Sequence, residues 1–521
     1  MISALREKEW KPRFVWELKE VFWLYLFLAF LIFALLNTPN SIWDPENRKL
    51  VVTIGAIGIW RYSWWLLNLI RALIYQYVDF PRLREKADSL WESGWRPPGI
   101  HIMIVTYNED PYTTNKVFSS LIRETRRIGV PATVYMGTAT DWDEEEVTRI
   151  VDHYAGDIDF KVIFIRQAQP GKRRQIGGAL RALSRNGVRG DMPVLFMDGD
   201  TILSPGCLEK CLPLFPLNPR VDALTVHGKA FVFGSRLFQE WYDLRFAQRN
   251  LMMHSHALSR KVMTLTGRMS MFRASKIVTE EFISRIESDH LKTWLWGKFS
   301  FLSGDDKSTW FCLLKDGSQM LYVPDTIVWT IERIDGRLMP RIWQNLLRWS
   351  GNMLRNNGRA IALGPQRTGA FIWWVLIDQR LSMWTSMISP LALITAGFFI
   401  SPAAFYMFVI WILVTRFMLS LALFHFHGRI RMTFPFILYP NQVIGAIVKI
   451  YISFRLPLQR WSNRGIETAA SGGGLNSRLR WLMARYITAL YVSLLFVFIL
   501  LYMNILQPPT MESLRVMLNL Q

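Results

Sequence analysis

The chain has 521 residues, 51% of them hydrophobic, and carries 61 Lys and Arg against 41 Asp and Glu, a formal charge of +20. That length and apolar content exclude a single ordinary soluble domain. Its three cysteines, Cys207, Cys211 and Cys312, exclude a disulfide scaffold and show no metal spacing.

The apolar residues gather towards the two ends. Val21 to Leu36 is uncharged, and Val51 to Ile70 is apolar apart from Arg61. Leu381 to Ile400 and Ala403 to Phe424 form a pair broken by Ser401-Pro402, and Ile487 to Tyr502 is a final uncharged run. Each approaches the ~20 residues needed to cross a bilayer core. The first run lacks a small-residue cleavage pattern in its flank Asn37-Thr38-Pro39-Asn40, so it reads as an anchor rather than a signal peptide. Five Lys or Arg precede it and set the N-terminus in the cytoplasm. Residues 1–74 then form an N-terminal segment with two spans, and residues 75–368 a cytoplasmic domain. Residues 369–521 hold the remaining spans, interfacial helices and a basic cytoplasmic loop at about 455–485. Phe434 to Phe454, with Pro435, Pro440, Asn441, Gln442 and Lys449, reads as an interfacial or re-entrant helix. Arg61, Asp378 and Arg416 fall within apolar runs, where they either line a polar path or pair between helices. With no nucleic-acid-binding motif, the positive charge points to the lipid bilayer and an anionic substrate.

Between the spans, short apolar runs alternate with helical stretches. Strands are expected at His101–Val105, Val130–Met136, Phe160–Ile165 and Val194–Met197, with helices at about Thr114–Ile128 and Gly177–Arg185. Such alternation gives an α/β fold with a mixed, mostly parallel sheet, whose ligands bind beyond the carboxyl ends of the strands. The turn Thr106-Tyr107-Asn108-Glu109 and the triplet Asp198-Gly199-Asp200 both fall at that edge. Two other Asp-x-Asp triplets occur, at Asp141 and Asp157, but only the one at Asp198 follows an apolar run. Side chains two apart on a strand share a face, so Asp198 and Asp200 can hold Mg²⁺ or Mn²⁺ while nucleotide phosphates complete the shell. The stretch Gly171-Lys172-Arg173-Arg174-Gln175-Ile176-Gly177-Gly178 before a helix suits a diphosphate, or is a solvated basic loop.

Downstream, Thr266-Gly267-Arg268-Met269-Ser270 permits close approach of an acceptor. Ser303-Gly304-Asp305-Asp306-Lys307 offers a carboxylate base for a sugar hydroxyl, or caps a helix. Gln344-Asn345-Leu346-Leu347-Arg348-Trp349 offers a cation for phosphate and a ring for a sugar, or is an amphipathic interfacial helix.

In this order the motifs resemble the processive, membrane-integrated, inverting glycosyltransferases: cellulose, hyaluronan, chitin and alginate synthases. The stretches Leu244–Arg249, Leu265–Ser270, Ser303–Ser308 and Tyr439–Gln442 are most similar to the catalytic subunits of bacterial alginate synthases. The resemblance implies a GT-A domain that transfers mannuronate from GDP-mannuronate to a growing β-1,4-linked chain. It also implies export of that polysaccharide from a multi-pass protein of the bacterial inner membrane. By position, Asp306 would be the catalytic base, with Asp305 beside it. Thr106, Tyr107, Glu109, Lys172, Asp198, Arg348 and Trp349 would bind the nucleotide sugar. Trp461 and Arg464 of Trp461-Ser462-Asn463-Arg464-Gly465 would close over it. Gly267, Arg268 and Trp349 would meet the acceptor, and Asp198 and Asp200 the metal. Asn345 stands where the QxxRW motif has glutamine, and Gln344 lies one residue back, rotated by about 100° on a helix. The resemblance further implies a separate cyclic di-GMP-binding copolymerase subunit and envelope export proteins. A UDP-glucose-type donor for another β-linked exopolysaccharide, or single transfer to a lipid carrier, are the alternative readings.

Overall fold

The computed structural model describes residues 18–40, 45–106, 109–167, 171–334, 337–399, 401–459 and 475–507. Among these residues ten strands form: β1 (Ile100–Val105), β2 (Ala132–Thr138), β3 (Phe160–Arg166), β4 (Pro193–Asp198), β5 (Thr201–Leu203), β6 (Val221–Phe233), β7 (Met269–Arg273), β8 (His290–Thr293), β9 (Gly297–Ser300) and β10 (Gln319–Arg333). Eight of them make one sheet in the order β3-β2-β1-β4-β7-β6-β10-β5. The pairs β1–β2, β2–β3, β1–β4 and β6–β10 are parallel, while β4–β7, β6–β7 and β5–β10 are antiparallel. This is the mixed, mostly parallel α/β sheet read from the alternation. The four expected strands are present, β2 starting and ending two residues later than expected. The long strands β6 and β10 had no sequence assignment.

Ile102, Ile104, Val134, Met136, Val194, Leu195, Val221 and Leu224 are fully buried between the flanking helices. Each such side chain contributes about 1.5–3 kcal/mol of burial, and the carboxyl ends of β1 and β4 emerge from this core carrying Thr106 and Asp198.

Five helices among the described residues are long and apolar enough to cross a membrane: Leu18–Leu36, Ala370–Phe399, Ala404–His427, Phe434–Ser453 and Asn476–Tyr502. Phe434–Ser453, expected as an interfacial or re-entrant helix, is one continuous 20-residue helix with Pro435 in its first turn. The run Val51–Ile70 lies inside the helix Pro45–Ile74, whose Arg61, Arg71 and polar start dilute its apolar length. That helix packs Trp65, Leu69 and Leu73 against Leu244, Leu251 and Leu423. Of the two alternatives for the charges in apolar runs, pairing is the one found. Arg61 forms an ion pair with Asp378, to which Trp64 Nε1 also donates at 3.0 Å. Arg416 donates to Tyr62 Oη at 3.2 Å and lies over the Tyr439 ring.

Candidate active site

Strands β1 and β4 run side by side in parallel, with Val105 opposite Asp198. Their ends therefore bring Thr106, Glu109 and Asp198 to one sheet edge. Thr106 is buried and donates its N–H to the Gly137 carbonyl at 3.2 Å, while Glu109 is half-buried. Tyr107 lies outside the described residues, as do Trp461 and Arg464. β4 stops at Asp198, and Gly199-Asp200 forms a tight turn into β5. Strand alternation is thus not what brings the two carboxylates together; the turn does. The Asp200 carboxyl is pushed up to about 7 by its enclosure and by the charges of Asp198 and Glu109. The other triplets serve elsewhere: Asp143 belongs to a helix N-terminus capped by Thr140, and Asp157 pairs with Arg126.

Lys172 ties the two acidic motifs together. Its Nζ lies 2.6 Å from Asp198 Oδ1 and 3.1 Å from Asp305 Oδ2. Burial works against the Lys172 charge, but the two carboxylates outweigh it and hold the ammonium above the usual lysine range. The effect on the acidic pair is to split it. Asp305 is buried, yet Lys172 and Arg173 hold its carboxyl below the ordinary range. Asp306 is half-buried and shifts the other way, raised by burial and by the adjacent Asp305 charge, with Lys307 opposing. Both aspartates lie in the first turn of the helix Asp305–Lys315, whose N-cap is Gly304 with no side-chain cap bond. Gly304 has φ +82°, and a Cβ there would meet Asn352 Cγ at 2.7 Å. Both the positive φ and this close approach require glycine.

The expected basic loop is not a loop. Lys172–Arg185 is helical throughout, so Lys172, Arg173 and Arg174 form its first turn and Gly177 and Gly178 lie within it. Of the three cations, Arg173 points away from any diphosphate. It is buried and donates to the Ile286 and Ser303 carbonyls and to Ser308 Oγ at 2.9, 3.1 and 3.0 Å. Beneath it, buried Asp289 accepts from Arg359 at 2.7 and 2.9 Å and from Ser308 Oγ at 2.6 Å. This network braces the helix that carries the acidic pair. Asp289→Ala leaves the Arg359 charge without its partner, so it is expected to cost about 3–5 kcal/mol. A fall in thermal unfolding midpoint, smaller for Asp289→Asn, checks it.

Gly267 lies directly against the triplet, since a Cβ there would sit 2.7 Å from Asp198 Oδ2. Gly267→Ala must displace that carboxylate. The expected result is a loss of turnover of about 10²-fold with an unchanged unfolding midpoint. Arg268 donates from Nε to Thr330 Oγ1 at 2.8 Å and spreads over the Phe246 ring. Arg348 and Trp349 stand on the helix Leu338–Ala362. Trp349 stacks on Trp241 at 5.7 Å, with Arg245 over its ring at 5.2 Å. Asn345, at the motif's glutamine position, is buried with its Nδ2 unpaired, while Gln344 is half-buried.

The model of the "Glycosyltransferase like family 2" family matches residues 97–352. "Glycosyltransferase alg8" of Pseudomonas syringae pv. tomato is 39% identical over 443 residues, 85% of this chain and 90% of the relative. "Glycosyltransferase alg8" of Azotobacter vinelandii is 39% identical over 445 residues, 85% of this chain and 89% of that one. The chain belongs to the alg8 glycosyltransferases. Among solved structures, a Pyrobaculum calidifontis mannosyltransferase in complex with GDP-Man and Mn²⁺ overlaps 76% of this chain and all of its own. The TM-score is 0.45 and the identity 16%.

In this alg8 glycosyltransferase, no three carboxylate, imidazole or thiolate side chains among the described residues converge tightly enough to hold a metal ion by themselves. The donor set still suits a hard divalent cation. Asp198 and Asp200 supply two oxygens beside Glu109, and the raised Asp200 carboxyl marks a local excess of negative charge. Mg²⁺ or Mn²⁺ bound this way takes its remaining ligands from phosphate and water. Sequence reasoning missed Asp289, Arg359 and Glu332, the last of which accepts from Tyr242 Oη at 2.9 Å. None sits in a motif, and the run Ser288-Asp289-His290 carries no pattern that would single it out.

Proposed function

We propose that this chain is a processive, inverting synthase that polymerises mannuronate from GDP-mannuronate into β-1,4-linked polymannuronate, the precursor of alginate. The catalytic domain faces the cytoplasm of a bacterial inner membrane, and the helices around it pass the polymer outward. The observation that carries the catalytic reading is the split acidic pair. Asp305 is committed to Lys172, while Asp306 is half-buried, without an ion pair among the described residues, and has a carboxyl tuned upward.

Asp306 takes the proton from the acceptor hydroxyl as its oxygen attacks the anomeric carbon, and the bond from that carbon to the GDP oxygen breaks on the opposite face. Asp198, Asp200 and Glu109 would hold a divalent cation, which when bound neutralises charge on the departing diphosphate. Lys172 holds Asp198 and Asp305 in register, Thr106 and Arg348 line the donor side, and Gly267, Arg268 and Trp349 receive the acceptor sugar. Tyr107 belongs to the same donor turn, and Trp461 and Arg464 to the segment proposed to cover it.

Enclosed cations support an anionic sugar. Arg245 and Arg249, on the helix Arg236–Ala257, are brought down to about 10 chiefly by burial, and neither has an ion pair among the described residues. Lys449, on the helix Phe434–Ser453, has Arg245, Asp378 and Arg61 as its charged neighbours. Together with Arg268 and Lys307 they form a cationic series from Asp306 to the apolar helices. A neutral polymer leaves those charges uncompensated, whereas a polyuronate offsets one with each residue. A cyclic di-GMP-binding copolymerase subunit and envelope export proteins complete this reading, and copurification tests them. Product length tests processivity: size-exclusion of labelled product from washed membranes should give long polymer, and a single sugar on lipid would overturn the proposal.

A further inference from the structure

Strands β8 and β9 form a separate hairpin between the domain's helix Glu280–Ser288 and the acidic pair. In its register His290 faces Ser300, Leu291 faces Phe299, Lys292 faces Lys298 and Thr293 faces Gly297. Alternation gives the hairpin two different faces. On the inner one, Leu291, Trp296, Phe299 and Phe301 cluster with Phe454, Leu456, Trp481 and Ala484. Trp296 Nε1 donates to the Phe454 carbonyl at 3.0 Å, and Arg480 Nη1 to the Trp296 carbonyl at 3.3 Å. Phe454 ends the apolar helix Phe434–Ser453. Ala484 stands two residues before Tyr486–Tyr502, the uncharged stretch of the last helix, which at 1.5 Å per residue is about 3 Å along its axis. The hairpin therefore packs at the C-terminal end of one membrane-length helix and beside the start of the uncharged stretch of another.

The outer face is chemically uniform. His290, Lys292 and Lys298 are exposed, and Trp294 at the turn is 80% exposed, without a ring contact or hydrogen bond to any described residue. An indole beside lysines is the composition of the bilayer interface, where the ring sits among headgroups and the ammonium groups meet acidic lipid. No aliphatic side chain lies on this face. Its two strands of four residues are small beside the ~800 Å² per partner of a stable protein interface. We infer that the β8–β9 hairpin is a lipid anchor, with Trp294 inserted among the headgroups of an anionic leaflet and Lys292 and Lys298 above acidic headgroups. The inference rests on reading the apolar helices as membrane spans. It adds a contact between membrane surface and active site, because β9 runs through Phe301 to Ser303, whose carbonyl is held by Arg173.

Site-directed fluorescence on the full chain tests this. The three natural cysteines are buried, so Trp294→Cys can take a nitrobenzoxadiazole probe selectively. In nanodiscs carrying nitroxide-labelled lipids, the probe should lose most of its emission to headgroup and shallow-chain nitroxides. The loss should be greater with phosphatidylglycerol than with phosphatidylcholine alone. The further change Lys292→Glu with Lys298→Glu should abolish that dependence on acidic lipid. Emission untouched by nitroxide lipid in both compositions overturns the anchor. So does a probe that lipid leaves unquenched but that shifts to the blue when a membrane-protein extract is added, which would make the face a protein contact. The readout needs no turnover, so failure of the donor assignment leaves it intact.

Discussion

Replacing Asp306 by asparagine is expected to lower polymer synthesis by about 10²–10⁴-fold, the range for a general base, with donor affinity held within a few-fold. Asparagine keeps the shape but cannot accept the acceptor's proton. Asp305→Asn should behave differently, because it removes one of the two carboxylates that hold Lys172. Both KM for donor and kcat should then suffer. The pH dependence follows from the direction of the Asp306 shift. The carboxyl is raised above the usual carboxylate range, and only its deprotonated form is a base. Activity is therefore present above that raised pKa and is lost as pH falls through it, at a higher pH than an unshifted aspartate near 3.9 would give. Lys307 works against the upward shift, so Lys307→Met should move the acidic limb to still higher pH. A pH–rate profile of kcat on washed membranes reads both effects.

Removing divalent cations should have the second large effect. Chelation with EDTA is expected to stop incorporation almost completely, and added Mg²⁺ or Mn²⁺ to restore it. The carboxylates at the triplet provide the reason. Asp198 shares its charge with Lys172, but Asp200 has Asp198, Glu109 and Glu332 as neighbours, opposed by Arg268. A bound cation discharges that cluster and supplies the positive charge a departing diphosphate requires. Asp200→Asn should raise the metal concentration for half-maximal rate by tenfold or more, about 1.4 kcal/mol per tenfold. Synthesis that persists in EDTA, or an Asp200→Asn variant with unchanged metal dependence, would contradict the metal assignment.

The elements legible in the sequence were those with local causes. β4 was visible because an apolar run bounded by Gly and Pro ends in acidic residues, and the acidic pair because a Gly precedes it at a helix start. β6 and β10 were not, because their apolar residues do not stand out in a chain already half hydrophobic. The helix expected from Gly177 begins already at Lys172, because the cations beside Gly171 read as a loop and Gly177 and Gly178 weaken the helical pattern behind them. Each glycine costs a helix about 1 kcal/mol, but packing against the Glu280–Ser288 helix overrides that preference. Least legible were the ties that make the motifs one site. Lys172 to Asp305, Asp289 to Arg359 and Arg173 to Ser303 span from about 70 to more than 130 residues of chain, and no local pattern encodes a partner that far away.

Donor choice tests the central claim most directly. Washed membranes containing the chain would be offered radiolabelled GDP-mannuronate and UDP-glucose in separate reactions, with Asp306→Asn membranes as the blank. High-molecular-weight, acidic product from GDP-mannuronate alone is the predicted result. Incorporation from UDP-glucose alone would contradict it, leaving a glycosyltransferase of the same family with a different sugar.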